Sequence, residues 1–364
     1  MKDPKHVRYA VIGAGNIAQV AVLPAFEHAK GNSELVALIS GDATKREELG
    51  KKQQLDWVGD YADLERIVRD AEVDAVYVAT PNALHREHAM RAARAGAHVL
   101  SEKPLATSVA ECQEIANACE EAGVKLMVAY RLHFEAANLS AIELVSAGKL
   151  GEPRVFSSVF GHVVRPGDIR ERPQAGGGAM LDLGIYCINA ARNLFKAEPT
   201  LVVGTAQMKH GVDETTTAVL QFPNGRVAQF TVSNDLAAVS SYRICGTEGM
   251  LRVEPAYEYT DKLEHYLTIG EDTKHRTFPK RDQFAPEIEY FSRCILEGRE
   301  PEPNIEEALC DLRVIEAVLE SARSGKPQPL SPYQRRDRPS SRLEKREPPV
   351  SEQRTVHAPS PSVK

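Results

Sequence analysis

The sequence predicts an α/β protein in two parts: a doubly wound parallel sheet, then an α/β domain built on an open, largely antiparallel sheet. Three observations predict it. Residues 1–130 alternate short apolar runs with amphipathic stretches of helical length. A glycine-rich turn joins the first apolar run to the first amphipathic stretch. After Ala129 the alternation gives way to successive extended segments with short turns. Strands separated by helices build right-handed crossovers and parallel pairing, whereas strands separated by tight turns pair antiparallel.

In the first part, residues 9–12, 35–39, 75–79, 98–100 and 125–129 are apolar enough for buried strands. Between them 17–30, 45–52, 61–70, 83–95 and 109–122 carry helical patterning. A further helix is expected over 134–147, ended by Gly148. From Arg154 to about Ile269 the chain is mostly extended, and segments 217–222 and 226–232 flank Pro223-Asn224-Gly225 as a hairpin. Helices follow at 284–297 and 305–324, the second opened by Asn304 and closed by Gly325. From about Ser331 the chain is rich in Pro, Ser, Arg and Glu. Such a segment buries too little apolar surface to offset its ordering entropy, so disorder is expected over 331–364.

Composition excludes several classes. A chain of 364 residues accommodates two domains, and its net charge of −6 gives no electrostatic reason to bind nucleic acid. No apolar stretch approaches the roughly 18 residues of a membrane span. Residues 1–9 lack the apolar middle of a secretory signal, so a cytoplasmic protein is expected. The six cysteines are scattered and form no C-x-x-C pair, which suits buried free thiols better than zinc or disulfides.

The first chemical signal is Gly13-Ala14-Gly15-Asn16-Ile17-Ala18, a G-x-G-x-x-A run between a strand and a helix. Gly13 permits the tight turn, Gly15 lets a pyrophosphate approach the backbone, and Ala18 is small enough for the helix to pack on the sheet. Phosphate then meets the free N–H groups of Asn16 and Ile17 at the helix start. This is the context of a Rossmann dinucleotide site. At the end of the second strand, where an NAD enzyme usually carries an acid, stand Ser40-Gly41-Asp42-Ala43-Thr44-Lys45-Arg46. Ser40 and Gly41 do not repel a 2′-phosphate and Lys45 or Arg46 can pair with it, so NADP is favoured. Asp42 either contacts ribose or caps the next helix. Thr80, Pro81, Asn82 and His85 follow the next strand, again at the carboxyl edge where cofactor contacts lie, and His85 either closes the turn or touches the cofactor. His85 and His88 lie three apart with no third ligand in reach by sequence, so no metal site is expected.

Ser101-Glu102-Lys103-Pro104 ends another strand at the same edge. Lys103 can bind a substrate hydroxyl and supply positive charge, and Glu102 can hold the lysine or bind ribose. A plain surface ion pair is the alternative. Pro104 fixes the turn and suits a cis peptide.

With these motifs the chain resembles the glucose–fructose oxidoreductase/inositol dehydrogenase (Gfo/Idh/MocA) family over residues 7–330. The resemblance rests on the glycine run, on Glu102-Lys103-Pro104, on Tyr130-Arg131-Leu132-His133-Phe134, and on Ala175-Gly176-Gly177-Gly178-Ala179-Met180-Leu181-Asp182-Leu183-Gly184-Ile185-Tyr186. Many relatives carry His where this chain has Tyr186; Tyr there is similar to glucose–fructose oxidoreductase and the dihydrodiol/xylose dehydrogenases. The resemblance implies Lys103 and Tyr186 as a catalytic pair, Asp182 as the group that orients a sugar, and Arg131 as a cofactor contact. Asp182 and Tyr186, four apart, share a face on a helix, and residues 176–178 would let that helix start close to a ligand. A phenol is a poor base at its ordinary pKa near 10, and a neighbouring ammonium favours the phenolate. The alternative for Tyr186 is a packed core aromatic.

The resemblance further implies an NADP-binding domain over 1–130, a substrate-binding and oligomerisation domain over 131–330, a sugar (aldose) or polyol substrate, and a homodimer or homotetramer. Rival activities are an aldose oxidoreductase that keeps NADP bound, a dihydrodiol-type dehydrogenase, and a non-catalytic NADP sensor.

Overall fold

In the computed structural model, which describes residues 5–333, 335 and 337–363, the first apolar run becomes the centre of a parallel sheet. Val7–Ile12 (β1) is buried at every residue but Arg8, as a strand covered on both faces must be. It pairs in parallel with Ser33–Ile39 (β2) and Ala75–Val78 (β4). Trp57–Gly59 (β3), His98–Glu102 (β5) and Leu126–Ala129 (β6) extend the sheet on either side, giving the order β3-β2-β1-β4-β5-β6. The connections carry a π-helical turn Ala18–Val22 running into Leu23–Ala25 (α1), then Ala43–Gln53 (α2), Leu64–Asp70 (α3), Asn82–Arg94 (α4) and Val109–Glu121 (α5). The order reverses between β1 and β4, and ligands of such sheets bind at that reversal, outside the carboxyl ends of the strands.

The second sheet has the order β14-β13-β12-β11-β7-β10-β9-β8-β15. Ala136–Ser146 (α6) precedes Pro153–Gly161 (β7), and a π-helical turn Met180–Gly184 runs into Ile185–Phe195 (α7). Leu201–Lys209 (β8), Val212–Phe222 (β9), Arg226–Ser233 (β10), Val239–Gly246 (β11), Gly249–Val253 (β12), Leu263–Ile269 (β13), Asp272–Phe278 (β14) and Gln328–Pro329 (β15) complete it. Only β7 and β10 pair in parallel. The expected hairpin is β9 and β10, turned by Pro223–Gly225. Side chains alternate across β7 and β10: Phe156, Phe160 and Phe230 are buried, while Val155, Ser157, Gln229 and Thr231 lie on the opposite face.

Two units emerge, and their boundaries correct the expected domains of 1–130 and 131–330. The first unit gathers the chain up to Arg131 with Asp282–Ala308 and Arg346–Pro361; the second gathers Leu132–Arg281 and Leu309–Lys345. Ala285–Leu296 (α8) belongs to the first unit because its buried face is partly polar and finds its partners there. Ser292 Oγ lies 2.8 Å from Tyr9 Oη and 2.7 Å from Ser33 Oγ. Tyr77 Oη lies 3.0 Å from Glu287 Oε1. Ile305–Ser324 (α9) has the expected start, where Asn304 Oδ1 accepts from the Glu306 N–H at 2.9 Å.

The segment from 331, expected to be disordered, instead makes specific contacts. Within the second unit Arg338 donates to Glu198 at 2.8 Å and to the carbonyl of Arg192 at 3.0 Å. Residues 346–361 lie against the first unit. The expectation asked for apolar burial, whereas the tail is held by polar groups that the folded units already fix in place. All six cysteines are free. Among the described residues no helix is long and apolar enough to cross a membrane, and no cluster of three metal-ligating side chains occurs.

Candidate active site

Gly13 adopts φ +100°, and a Cβ there would stand 2.5 Å from the carbonyl oxygen of Ala79. Only glycine meets both demands. Gly15 differs: a Cβ built on it meets nothing within 4 Å. The sequence keeps a glycine facing open space, beside first-turn amides that have no intrahelical acceptor. That is the cradle a pyrophosphate needs, and these residues fit a dinucleotide. Asn16 and Ile17 are half-buried at the same edge, as are Pro81, Asn82 and Lys103.

The β2 turn separates the candidates for the ribose end. Asp42 caps α2, its carboxylate accepting from the Lys45 N–H at 3.0 Å, and this bond holds its pKa below the usual carboxylate value. Arg46 is committed to the Ser40 carbonyl at 2.5 Å and to Asp60 at 2.9 Å. Lys45 makes no ion pair among the described residues. Ser40, expected at the cofactor, is 3% exposed with its hydroxyl turned to the Asp42 N–H. It shapes the turn. At Gly41 a Cβ would press to 3.1 Å on the ring of Tyr61.

Three further candidates, His85, Thr80 and Arg131, are buried. His85 is buried, and its two ring nitrogens lie 2.8 Å from the carbonyls of Thr80 and Pro104. It ties the turn after β4 to the turn after β5 and has no nitrogen left for a cofactor. Thr80 is buried at the same junction. Arg131 is 7% exposed and donates to Gln283, its charge facing Glu102 and Glu287. Glu102 accepts from Tyr77 Oη at 2.9 Å, so one phenol bridges two carboxyl groups. The Lys103–Pro104 peptide is cis, as the sequence suggested.

Burial raises the pKa of Glu102, and raises that of Glu287 further, where the neighbouring Glu102 charge adds to burial. Glu287 therefore keeps its proton in the folded protein over a pH range where the unfolded chain has lost it. Its stabilisation is complete below the unfolded pKa near 4.3 and is lost as pH rises toward the folded value. The Tm is expected to fall by about 2–4 °C per pH unit above pH 5. Glu287→Gln should flatten that slope in a thermal melt series. A wild-type slope retained in the variant would assign the dependence elsewhere.

In the second unit, the helix carrying Asp182 and Tyr186 is buried at every residue from Met180 to Phe195 except Asp182, Tyr186 and Ala190. The two predicted side chains thus stand on the one partly exposed stripe of an otherwise buried helix, and the π-helical turn lies at its functional end. The Tyr186 ring packs on Phe160 and Tyr257, with centroids 5.7 and 5.9 Å apart. Asp182 accepts from Arg170 Nε at 2.6 Å, and Arg170 also reaches Asp168 at 3.1 Å.

Gly177 and Gly178, before this helix, serve packing within the unit, a correction to the expected approach of a ligand. A Cβ at Gly177 would lie 2.4 Å from the Arg170 carbonyl, and one at Gly178, with φ +118°, 2.3 Å from Asp213 Oδ1. Asp213, which the sequence gave no reason to single out, accepts from the Met180 N–H at 2.8 Å and from Thr216 at 2.9 Å. Burial pushes its pKa up to about 6. His162, just past β7, was also missed. Burial lowers its pKa against the opposing charge of Asp182, and its Nε2 is buried without a hydrogen-bond partner.

Residues 7–130 match the oxidoreductase family with an NAD-binding Rossmann fold, Gfo/Idh/MocA, and residues 139–252 match the Gfo/Idh/MocA C-terminal domain. The chain is 33% identical over 323 residues to a D-xylose 1-dehydrogenase (NADP(+)) of Haloferax volcanii, covering 87% of this chain and 98% of that relative. A solved aldose-aldose oxidoreductase of Caulobacter crescentus, complexed with glycerol, shares 36% identity at a TM-score of 0.84, covering 89% of this chain and all of that one. A 3-ketoreductase of Actinomadura kijaniata, solved with NADP and TDP-benzene, shares 30% identity at a TM-score of 0.81 over 87% of this chain and 98% of the other. Fold, motifs and both matched domains agree: the chain belongs to the Gfo/Idh/MocA family of oxidoreductases.

Proposed function

We propose that the protein is an NADP-dependent oxidoreductase that moves a hydride between the nicotinamide and an aldose or related polyol. The first unit is the NADP-binding domain and the second the substrate-binding domain. The observation that carries the substrate class is the outward stripe of Asp182 and Tyr186, flanked by Arg170, Asp168 and the unpartnered His162 nitrogen. A polyhydroxyl ligand can add hydrogen bonds to such groups where an apolar diol offers few, and a hydrogen bond to a charged group is worth about 1.5–3 kcal/mol. The similarity to an NADP-linked xylose dehydrogenase and to an aldose-aldose oxidoreductase supports the same reading.

Held at the Gly13–Ile17 turn, the nicotinamide nucleotide would supply the hydride acceptor and, in its reduced form, the hydride donor. The chain's residues handle the proton. Tyr186 takes the hydroxyl proton as the carbon–oxygen double bond forms. Lys103 serves the same step by offering its ammonium to the substrate oxygen. Asp182, oriented by Arg170, accepts from a neighbouring sugar hydroxyl.

The outer face of the second sheet is proposed as a homo-oligomer contact. It exposes Val155 and Val203 and carries a shallow cavity of about 340 Å³ beside Ser157, Gln229, Thr231 and Arg243. Light scattering should show a dimer or tetramer, and a stable monomer would contradict this.

The activity is tested by adding a panel of aldoses and polyols to protein with NADP+ and following NADPH absorbance. The expected result is reduction with at least one aldose. Nucleotide binding without reduction by any sugar would favour a non-catalytic sensor.

A further inference from the structure

The chain past residue 345 runs back along the nucleotide-binding edge of the first unit. The Val356 N–H donates to Gln19 Oε1 at 2.7 Å, and Gln19 Nε2 donates to the Val356 carbonyl at 2.9 Å. The same Nε2 lies 2.9 Å from the carbonyl of Ala14 inside the glycine run. Asn16, in that run, donates to the Ala358 carbonyl at 3.0 Å. Lys52 of α2 reaches Gln353 at 2.7 Å. His357 Nδ1 stands 3.2 Å from Asp42 Oδ2, at the end of β2 where the adenosine ribose of a Rossmann ligand lies. Ala358 is 7% exposed. Five contacts from four residues of this segment thus fall on Asn16 and Gln19, in and just after the glycine run, and on α2 with its cap Asp42.

We propose that residues 353–358 form the outer wall of the adenosine end of the NADP site, slowing release of the nucleotide, and that His357 helps to select the 2′-phosphate. This rests on the NADP reading above. It also accounts for an acid at the end of β2 in an NADP binder. An unpartnered Asp42 would repel a 2′-phosphate. Here its carboxylate is engaged from one side by the Lys45 amide and from the other by the His357 ring. Lys45 is then the cation, and the His357 ring a hydrogen-bonding group, offered to the phosphate, because Arg46 is committed to Ser40 and Asp60. The tail needs no core of its own for this work. It borrows hydrogen-bonding groups that the Rossmann fold already orders, and its prolines limit the conformational entropy lost on docking.

The test measures NADPH release by stopped-flow fluorescence, with excess NADP+ as the displacing ligand. Wild type is compared with a chain ending at Glu352 and with His357→Ala. Losing the tail contacts should speed release about ten-fold or more. His357→Ala should weaken NADP+ binding about five-fold by titration and leave NAD+ binding unchanged. Release that stays the same or slows in the shortened chain would overturn the wall. An equal change in NADP+ and NAD+ affinity in His357→Ala would overturn the selection role. If the shortened chain does not fold, the His357→Ala comparison still decides the role of the tail at the 2′-phosphate. Failure of wild type to bind NADPH at all would instead sink the cofactor assignment.

Discussion

Tyr186→Phe is expected to lower kcat by about 10²–10⁴, the usual worth of a positioned acid–base group, while NADP+ affinity stays within a few-fold of wild type. The substitution removes one oxygen and keeps the ring, so packing against Phe160 and Tyr257 survives. Lys103→Ala should lose turnover over the same range. The readout is steady-state kinetics with the best aldose, alongside nucleotide titration. An interaction used in the transition state alone depresses kcat and kcat/KM together, whereas one used for binding raises KM. Near-wild-type kcat in both variants would remove these residues from the chemistry.

The glycine pair gives the second large effect, because the two positions fail in different ways. Gly15→Ala adds a methyl into space that holds no protein atom within 4 Å, at a position whose φ is not positive. The fold should be unaffected and Tm should move by no more than about 2 °C, as for a surface substitution. The methyl occupies the approach of the pyrophosphate, and overpacking of about 1–3 kcal/mol translates to roughly 10–100-fold weaker NADP+. Gly13→Ala forces a non-glycine residue to φ +100° and drives its Cβ to 2.5 Å from the backbone of Ala79. That should cost about 3 kcal/mol or more of stability. Thermal melts and NADP+ titration of the two proteins separate the effects. Equal destabilisation by both would mean that the space beside Gly15 is not reserved for a ligand.

Much of this was readable from residue order because it depends on local pattern. The glycine run, the strands of the first sheet and the α9 cap are each set by neighbours a few positions apart. Asp182 and Tyr186 were singled out by the family resemblance, and their spacing then places them on one face of a helix. What escaped depended on pairing between distant segments. β3 has only three residues, and Val58 is exposed, so no apolar run announces it. The place of α8 in the first unit is set by Ser292 and Glu287 meeting Tyr9 and Tyr77, residues more than 200 positions away. Asp213 caps a helix 33 residues upstream in the chain. Ser40 has a residue type suited to ligand contact, and only burial shows that it shapes a turn instead. The tail was misjudged because composition reports what a segment can bury, not which ordered groups wait for its backbone.

The account depends most on Lys103 and Tyr186 acting on one proton as a single unit. The direct measurement is a double-mutant cycle on kcat with wild type, Lys103→Ala, Tyr186→Phe and the combined variant. Residues that serve one step are strongly non-additive. The combined variant should therefore be no more than about three-fold slower than the slower single one. Losses that multiply across the two substitutions would show that the two groups act independently, contradicting the proposed chemistry.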